Sequence, residues 1–331
     1  MFFKELTRRK FVKYGFLSLT FFLNSCSNIS KTVKVALQSS FYPDFFKENL
    51  PKVWHQKNIN FEEANATKNK KLEIDSEYTL INDGWITSLD IKEFNKINKF
   101  LPIEKLDLRS RDFLSNFDES YRERLFPIGV VPYAVIIKNN KGLINSARKS
   151  WDFLLSEQLK NKIILPQSPR LIMSIARKIN VDNPLVKLKS QAMLFDDKDS
   201  LNWLINSDAS VSIIPYTFCL KYLKIDTRLS IVFPNVGVPL MWHFILGRSN
   251  NNEQLIEWIN SFENKLIADR LAKQGWYLPF NSSYIQSKYS NQNSAFSGPS
   301  QRCWENSWSF PYLTNLQKIN LENAWNESLI P

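Results

Sequence analysis

Histidine, cysteine and glycine are scarce in this sequence, which has 2 His, 3 Cys and 8 Gly among 331 residues. The two histidines, His55 and His243, have no Cys, His or acid at the short spacing that metal sites show. The glycines form no phosphate-binding loop, and neither a Gly-flanked nucleophilic Ser nor a zinc-protease His pair occurs. The sequence therefore predicts no metal site, no cofactor and no catalytic residue.

The few cysteines leave one question open. Cys26 belongs to the N-terminal leader described below, so only Cys219 and Cys303 remain for a disulfide. An exported protein permits such a bond. The apolar surroundings of Cys219 fit a buried thiol equally well.

Long hydrophobic runs are also missing. The most apolar stretch near the N-terminus, residues 14–23, contains Gly15, Ser18 and Thr20. It is about half as long as the roughly 20 apolar residues that a membrane-spanning helix needs. A cleaved export signal is therefore favoured over a transmembrane anchor.

Two motifs in the leader define its kind. Residues 7–13 read Thr-Arg-Arg-Lys-Phe-Val-Lys, which predicts recognition of Arg8 and Arg9 by the twin-arginine export machinery. Residues 23–26 read Leu-Asn-Ser-Cys, which is similar to a bacterial lipobox. We expect residues 1–26 to be a signal peptide, Cys26 to be lipidated, and the product to be a membrane-anchored periplasmic lipoprotein. Without lipidation it would be soluble in the periplasm.

The formal net charge of +11 does not indicate a nucleic-acid partner. Lysines are scattered along the chain, whereas nucleic-acid binding needs basic residues gathered on one face. The hydrophobic fraction of 44% and the aromatic fraction of 14% predict a well-packed globular body.

Hydrophobic periodicity predicts strands that alternate with helices. The expected strands are residues 31–37, Tyr78–Asn82, 130–138, 162–165, 209–216, 229–233 and 239–246. The expected helices are residues 45–54, 87–98, 151–159, a helix capped by Ser168 and Pro169, 200–205, a long helix 253–274 closed by Gly275, and 321–328. This alternation predicts α/β layers. The apolar tail, residues 286–331, is expected to wrap the body.

Polar and aromatic residues gather where the predicted strands end. Since open α/β sheets bind ligands at that edge, these loops predict a site for a small polar solute. Aromatic walls are expected from Tyr42, Trp85, Tyr216 and Trp242, and hydrogen bonds from Ser39, Ser168 and His243. The full predicted set is Ser39, Ser40, Phe41, Tyr42, Asp83, Gly84, Trp85, Tyr133, Ser168, Arg170, Tyr216, Trp242 and His243.

The order of these segments resembles that of the extracytoplasmic solute-binding proteins of ABC importers, most nearly the spermidine/putrescine-binding type. The motifs are Ser-Ser-Phe-Tyr-Pro at 39–43, Phe-Pro-Ile-Gly-Val-Val-Pro-Tyr at 126–133, Gly-Val-Pro-Leu-Met-Trp at 237–242 and Gly-Trp-Tyr-Leu-Pro-Phe-Asn at 275–281. The resemblance implies the type II periplasmic-binding-protein fold, in which two α/β lobes enclose a ligand cleft. It also implies a monomer that docks on a membrane ABC permease.

By the same resemblance, residues 27–131 and 237–285 form lobe 1 and residues 132–236 form lobe 2. The chain crosses between them near residues 131–133 and 234–237.

Two departures from the polyamine-binding pattern affect the expected ligand. Residues 166–170 read Pro-Gln-Ser-Pro-Arg, where that family has acids for ammonium groups, and His243 follows Trp242 where it has another acid. A helix start beside Arg170 favours an anion. An anionic or zwitterionic solute is therefore the hypothesis. The alternative for Arg170 is a solvated residue that makes no contact.

Two other functions remain open at this point. One is an exported hydrolase that uses His243 or a cleft carboxylate, since catalytic triads assemble across a fold. The other is a non-transport lipoprotein with a structural role on the same fold.

Overall fold

The structure is a computed structural model that describes residues 32–60, 74–250, 252–280 and 298–328. The predicted signal peptide, with Arg8, Arg9 and Cys26, lies outside these residues. Within them, no helix is both long and apolar enough to cross a membrane.

Ten strands make up the described β-structure: β1 Val33–Leu37, β2 Trp54–Asn58, β3 Tyr78–Asn82, β4 Phe126–Lys138, β5 Ile163–Leu165, β6 Ala192–Phe195, β7 Val211–Pro215, β8 Leu229–Val232, β9 Pro239–Gly247 and β10 Trp308–Ser309. They join in the order β2-β1-β3-β9-β4-β7-β5-β6, with β8 beside β4 and β10 beside β9.

Twelve α-helices cover the sheet in the described part of the chain: α1 Asp44–Glu48, α2 Leu108–Ser115, α3 Glu119–Arg122, α4 Lys141–Lys149, α5 Pro169–Ala176, α6 Pro184–Ser190, α7 Ser200–Asn206, α8 Tyr216–Leu223, α9 Glu253–Ser261, α10 Lys265–Lys273, α11 Gln301–Asn306 and α12 Asn315–Glu327.

The long strand β4 divides the molecule into two α/β lobes. From Phe126 to Pro132 it pairs with β9, beside β1, β2 and β3. From Tyr133 onward it pairs with β7, and from Val135 with β8. We call the β1–β2–β3–β9 side the first lobe and the β5–β6–β7–β8 side the second lobe. The expected α/β fold of two lobes is confirmed.

Several predicted elements match the structure closely. The strand at Tyr78–Asn82 has the predicted bounds. The Ser168 hydroxyl caps α5 by accepting a hydrogen bond from the Leu171 N–H at 3.4 Å, with Pro169 at the first helical position. Gly275 follows α10 with φ of +79°, the left-handed conformation that suits a glycine beyond a helix end. Helix caps of this kind can be predicted from the sequence because they depend only on residues a few positions apart.

The predicted helix over residues 45–54 is wrong beyond Glu48, because the apolar pattern continues past Pro51 while the helix does not. Proline disfavours helical geometry in the residue before it, and Trp54 begins strand β2. The single long helix over residues 253–274 is also wrong. It is two helices, and the Asn264 side chain starts the second by accepting from the Leu266 N–H at 2.9 Å.

Two other predicted helices are series of 3-10 turns. Residues 87–98 contain turns at Ile86–Ser88, Ile91–Glu93 and Ile97–Lys99. Residues 151–159 contain Trp151–Leu155 and Glu157–Leu159. Asp90 and Ser150 hydrogen-bond to nearby N–H groups there and favour short turns over a continuous helix. In the tail, α12 begins six residues before the predicted 321, at a capping box made by Thr314 and Gln317.

Cys219 and Cys303 are both buried and free. The open disulfide question is therefore answered in favour of buried thiols.

Close packing around Gly129, on strand β4, leads to a stability prediction. A Cβ atom on Gly129 would lie 2.1 Å from Cε2 of Trp276, a fully buried ring in the core. Gly129→Ala is therefore expected to lower the free energy of unfolding by about 3 kcal/mol, the upper end of the usual overpacking cost. Denaturant unfolding measures it.

Gly142→Ala is the matched control, since its Cβ would meet only the Asn140 side chain at 3.4 Å. Equal stability of the two variants would contradict the close packing at Gly129.

Candidate functional site

A cleft of about 1140 Å³ lies between the two lobes. The first lobe contributes the segments after β1 and β3, and the second lobe contributes the start of α5, the loop before α7 and the start of α8. Helix α8 follows β7 directly and α5 begins after a three-residue loop that follows β5, so both lobes present strand ends to the same space.

Ten of the thirteen predicted site residues line this cleft: Ser39, Ser40, Phe41, Tyr42, Asp83, Gly84, Trp85, Tyr133, Ser168 and Arg170. They come from both lobes, and the fold therefore brings together residues up to 131 positions apart. Ligand contact by each of them stays a prediction.

Tyr216, Trp242 and His243 do not line the cleft, which corrects their predicted placement. Trp242 and His243 lie inside β9, a strand with neighbours on both edges, so their side chains enter the two buried faces of the sheet. Trp242 stacks on Phe113 at 4.7 Å. Tyr216, the first residue of α8, packs edge-on against Phe233 at 5.1 Å. All three are core residues.

His243 is the most unusual of these core residues. Its ring is fully buried, lies 4.5 Å from Trp276 and 5.1 Å from Tyr42, and both its nitrogens lack a hydrogen-bond partner. Burial lowers the pKa of His243 to about 3. The imidazole is therefore neutral at physiological pH and packs as an aromatic ring.

Five buried polar atoms of cleft residues have no hydrogen-bond partner among the residues that the structure describes. They belong to both lobes and are Gln38 Oε1, Tyr42 Oη, Asp83 Oδ2, Arg170 Nε and Thr217 Oγ1. Buried polar groups in folded proteins are nearly always satisfied, because an unmade hydrogen bond costs about 1–3 kcal/mol. The presence of five such atoms on the two walls of one cleft favours a site for a polar ligand.

Asp83 and Arg170 carry opposite charges into the cleft from different lobes. Asp83 follows β3; its Oδ1 accepts from the Trp242 N–H at 3.3 Å, while Oδ2 is unpaired. Burial raises the pKa of Asp83 to about 6, against an opposing effect of Arg170. For Arg170 the directions are reversed: burial lowers its pKa, and the charge of Asp83 acts to raise it. The two groups affect each other electrostatically, yet each keeps an unpaired buried atom.

The charged residues that line the cleft are of both signs. Six lining residues are basic and four are acidic: Lys47, Arg170, Lys198, Lys221, Lys224 and Lys273 against Asp44, Asp83, Asp197 and Asp199. This excess of basic groups does not favour a multiply charged cation.

Several lining residues were missed by the sequence reasoning. Gln38 is the first residue after β1, and its place beside Ser39 was an available signal. Asp197 and Asp199 precede α7 in a loop that was left out of the predicted set. Phe310, from the C-terminal tail, had no signal, because nothing local shows where a tail crosses a distant cleft.

No group of three or more His, Cys, Asp or Glu side chains suited to a metal ion occurs among the residues that the structure describes.

Comparison with solved structures concerns the fold. An ABC transporter protein from Clostridium perfringens has 16% identity and a TM-score of 0.61, with 89% of this chain and 98% of that chain covered. A spermidine/putrescine ABC transporter substrate-binding protein from Streptococcus pneumoniae has 11% identity and a TM-score of 0.62, with 89% and 97% covered. A periplasmic thiamin-binding protein has 11% identity and a TM-score of 0.59, with 91% and 96% covered.

No protein-family model matches the chain, and no curated protein sequence matches it. At these low identities the likeness shows the fold, which is that of type II periplasmic binding proteins. The resemblance found in the sequence motifs is confirmed at that level.

Proposed function

We propose that this protein is the solute-binding component of an ABC importer and binds a small polar solute between its lobes. The observation that carries the proposal is the set of unpaired buried polar atoms on both walls of the cleft. The similarity in fold to transporter binding proteins supports it. The partners would be a membrane permease and, through residues 1–26, the twin-arginine export machinery and a lipid anchor at Cys26.

The proposed ligand is a zwitterion. Asp83 Oδ2 and Arg170 Nε are buried and unpaired. Asp83 Oδ2 would accept hydrogen bonds from an ammonium group, and Arg170 Nε would donate one to a carboxylate. Each group loses its hydration when the protein folds. The ammonium and the carboxylate of the solute would give each group a partner of opposite charge. A solute with only one of these charges would leave one buried partner unsatisfied.

A polyamine is the second candidate, favoured by one observation. Asp197 and Asp199 of the second lobe line the cleft together with Asp83 of the first, so both lobes bring acidic groups to it. Against it, Arg170 and five lysines share the cleft, and a buried cation loses affinity beside like charges.

Binding is proposed to close the lobes. The strand partner of β4 changes between Pro132 and Tyr133, inside the predicted crossing at 131–133. The second crossing, 234–237, ends at Gly237, whose φ is +93°. We place the hinge at these two segments. The lobes would assume a closed form on binding, and the permease would recognise that form.

The hydrolase alternative loses its best candidate base. The nitrogens of His243 are buried in an aromatic cluster, and the ring does not line the cleft. We therefore propose a binding protein and not an enzyme. Gene neighbours that encode a permease and an ATPase would favour transport over the structural alternative.

A thermal-shift screen of residues 27–331 tests the proposed function. The panel contains amino acids, betaines, polyamines, monoamines and organic acids. A ligand that binds only the folded state stabilises it by about 2.7 kcal/mol at a hundredfold excess over its dissociation constant. Saturable shifts are expected with zwitterions and not with matched monoamines or monocarboxylates. Shifts with polyamines alone would select the second candidate, and no shift with any solute would count against a binding protein.

A further inference from the structure

The C-terminal segment 298–328 brings two neighbouring residues against Arg170. Phe310 lines it with only 8% of its surface exposed, and its ring centre lies 4.9 Å from the guanidinium carbon of Arg170. The next residue, Pro311, accepts a hydrogen bond from Nη2 of Arg170 through its carbonyl oxygen. Among the described residues, this is the one hydrogen bond that the guanidinium makes.

The sheet fixes the position of Phe310. Strand β10, immediately before it, pairs in parallel with Pro239–Leu240 of β9. The Trp308 N–H donates to the Val238 carbonyl oxygen at 3.1 Å, and Trp242 Nε1 donates to Ser309 Oγ at 2.8 Å. Trp242 was predicted to form the cleft wall, but it is a core residue that holds β10 in place. Strand β10 in turn positions the Phe310 ring at the cleft.

The segment is held on the far side of Phe310 by both lobes. Tyr312 packs between Phe117 and Tyr121 of the first lobe, at 5.5 and 5.0 Å. Farther on, α12 ends against the second lobe, where Lys189 Nζ donates to the Trp325 carbonyl oxygen at 3.0 Å. Phe310 and Pro311 therefore lie between two fixed anchors.

An arginine side chain has many rotamers, and fixing one of them costs conformational entropy that reduces affinity when a ligand must impose the order. The Phe310 ring and the Pro311 carbonyl restrict Arg170 before any ligand arrives. They engage one face of the guanidinium and one Nη, and they leave Nε buried and without a partner.

We infer that the C-terminal segment is a third component of the binding site, in which Phe310 and Pro311 position Arg170 for the carboxylate of the solute. That the solute carries a carboxylate rests on the proposed function, whereas the positioning of Arg170 by Phe310 and Pro311 does not depend on it. Phe310 is thus a positioning residue for solute specificity, contributed from outside both predicted lobes.

Two measurements on Phe310→Ala, with residues 27–331 as the parent, test this inference. The first is solvent exchange of the Arg170 Nε–H by NMR without ligand, with Arg170→Lys used to assign the signal. Slow exchange is expected in the parent and at least tenfold faster exchange in Phe310→Ala. The second is a calorimetric titration with the amino acid that binds the parent most tightly in the screen. Affinity is expected to fall about tenfold, whereas Phe310→Tyr should retain it.

A double-mutant cycle separates positioning from packing. Loss of affinity in Phe310→Ala should be largely absent when Arg170 is already Ala, because coupled residues are non-additive. Leu316→Ala, at an exposed position of α12, is the control and should leave Nε–H exchange and affinity near parental values.

The outcomes distinguish this inference from the proposed function. If no zwitterion binds but Nε–H protection depends on Phe310, the positioning stands and the proposed ligand is wrong. Unchanged exchange in Phe310→Ala overturns the positioning, as does an equal effect of Leu316→Ala. Fully additive losses in the cycle overturn it as well.

Discussion

Lowering the pH from 7 to about 4 is expected to destabilise the protein by about 3 kcal/mol through His243 alone. Burial lowers the pKa of His243 from 6.5 to about 3 in the folded protein. Between these values the unfolded state binds a proton that the folded state does not. The contribution of neutral His243 to the free energy of unfolding is therefore fully present above the unfolded-state pKa of 6.5, and it is lost as the pH falls toward the folded-state pKa of about 3.

The structure gives no route by which a charged His243 could be accommodated. Both nitrogens lack hydrogen-bond partners, and Tyr42 and Trp276 pack against the ring. Solvation of an imidazolium therefore requires the core around β9 to open.

Urea unfolding of the parent and of His243→Phe across this pH range measures the effect. Phenylalanine keeps a ring in the aromatic cluster and removes the titration. The variant should lose about 3 kcal/mol less stability than the parent on acidification. The comparison uses the change with pH, so a constant packing difference between the two rings does not affect it. His55→Asn, at an exposed position on β2, is the control. Parallel pH curves for parent and His243→Phe would contradict the prediction.

Replacing Arg170 by Ala is expected to weaken zwitterion binding about 100-fold, or about 2.7 kcal/mol, within the usual range for truncating one side of a buried charge pair. The loss combines a missing charged hydrogen bond with a solute carboxylate left unpaired in a cleft. Arg170→Lys should recover little of it, because lysine has no planar fork and cannot match the placement of Nε.

Calorimetric titration of each variant with the best zwitterion of the screen measures this loss. Arg177→Ala is the control, since Arg177 ends the same helix at an exposed position away from the cleft. Unaltered affinity in Arg170→Ala would mean that Arg170 is a structural residue tied only to the C-terminal segment.

The sequence predicts those parts of this protein that depend on local chemistry. The cap at Ser168, the turn at Gly275 and the bounds of β3 follow from residues a few positions apart. Loops such as 39–42 and 83–85 reached the cleft as expected, because strand ends in an α/β sheet meet at shared edges.

What the sequence does not predict is set by contacts between distant segments. Trp242 and His243 lie inside the strand predicted at 239–246, and the partners of β9 on both sides, which no local pattern shows, determine their burial. Phe310 reaches Arg170 because β10 adds to β9 at a register that no local pattern records.

A measurement of the distance between the lobes, with and without solute, tests the central proposal most directly. Glu48→Cys and Lys187→Cys place one spin label on an exposed site of each lobe outside the cleft lining, while the native Cys219 and Cys303 are buried. The best zwitterion should shorten or narrow the label–label distance distribution, and its matched amine and matched acid should not. An unchanged distribution at a zwitterion concentration that calorimetry shows to be saturating would contradict binding by lobe closure.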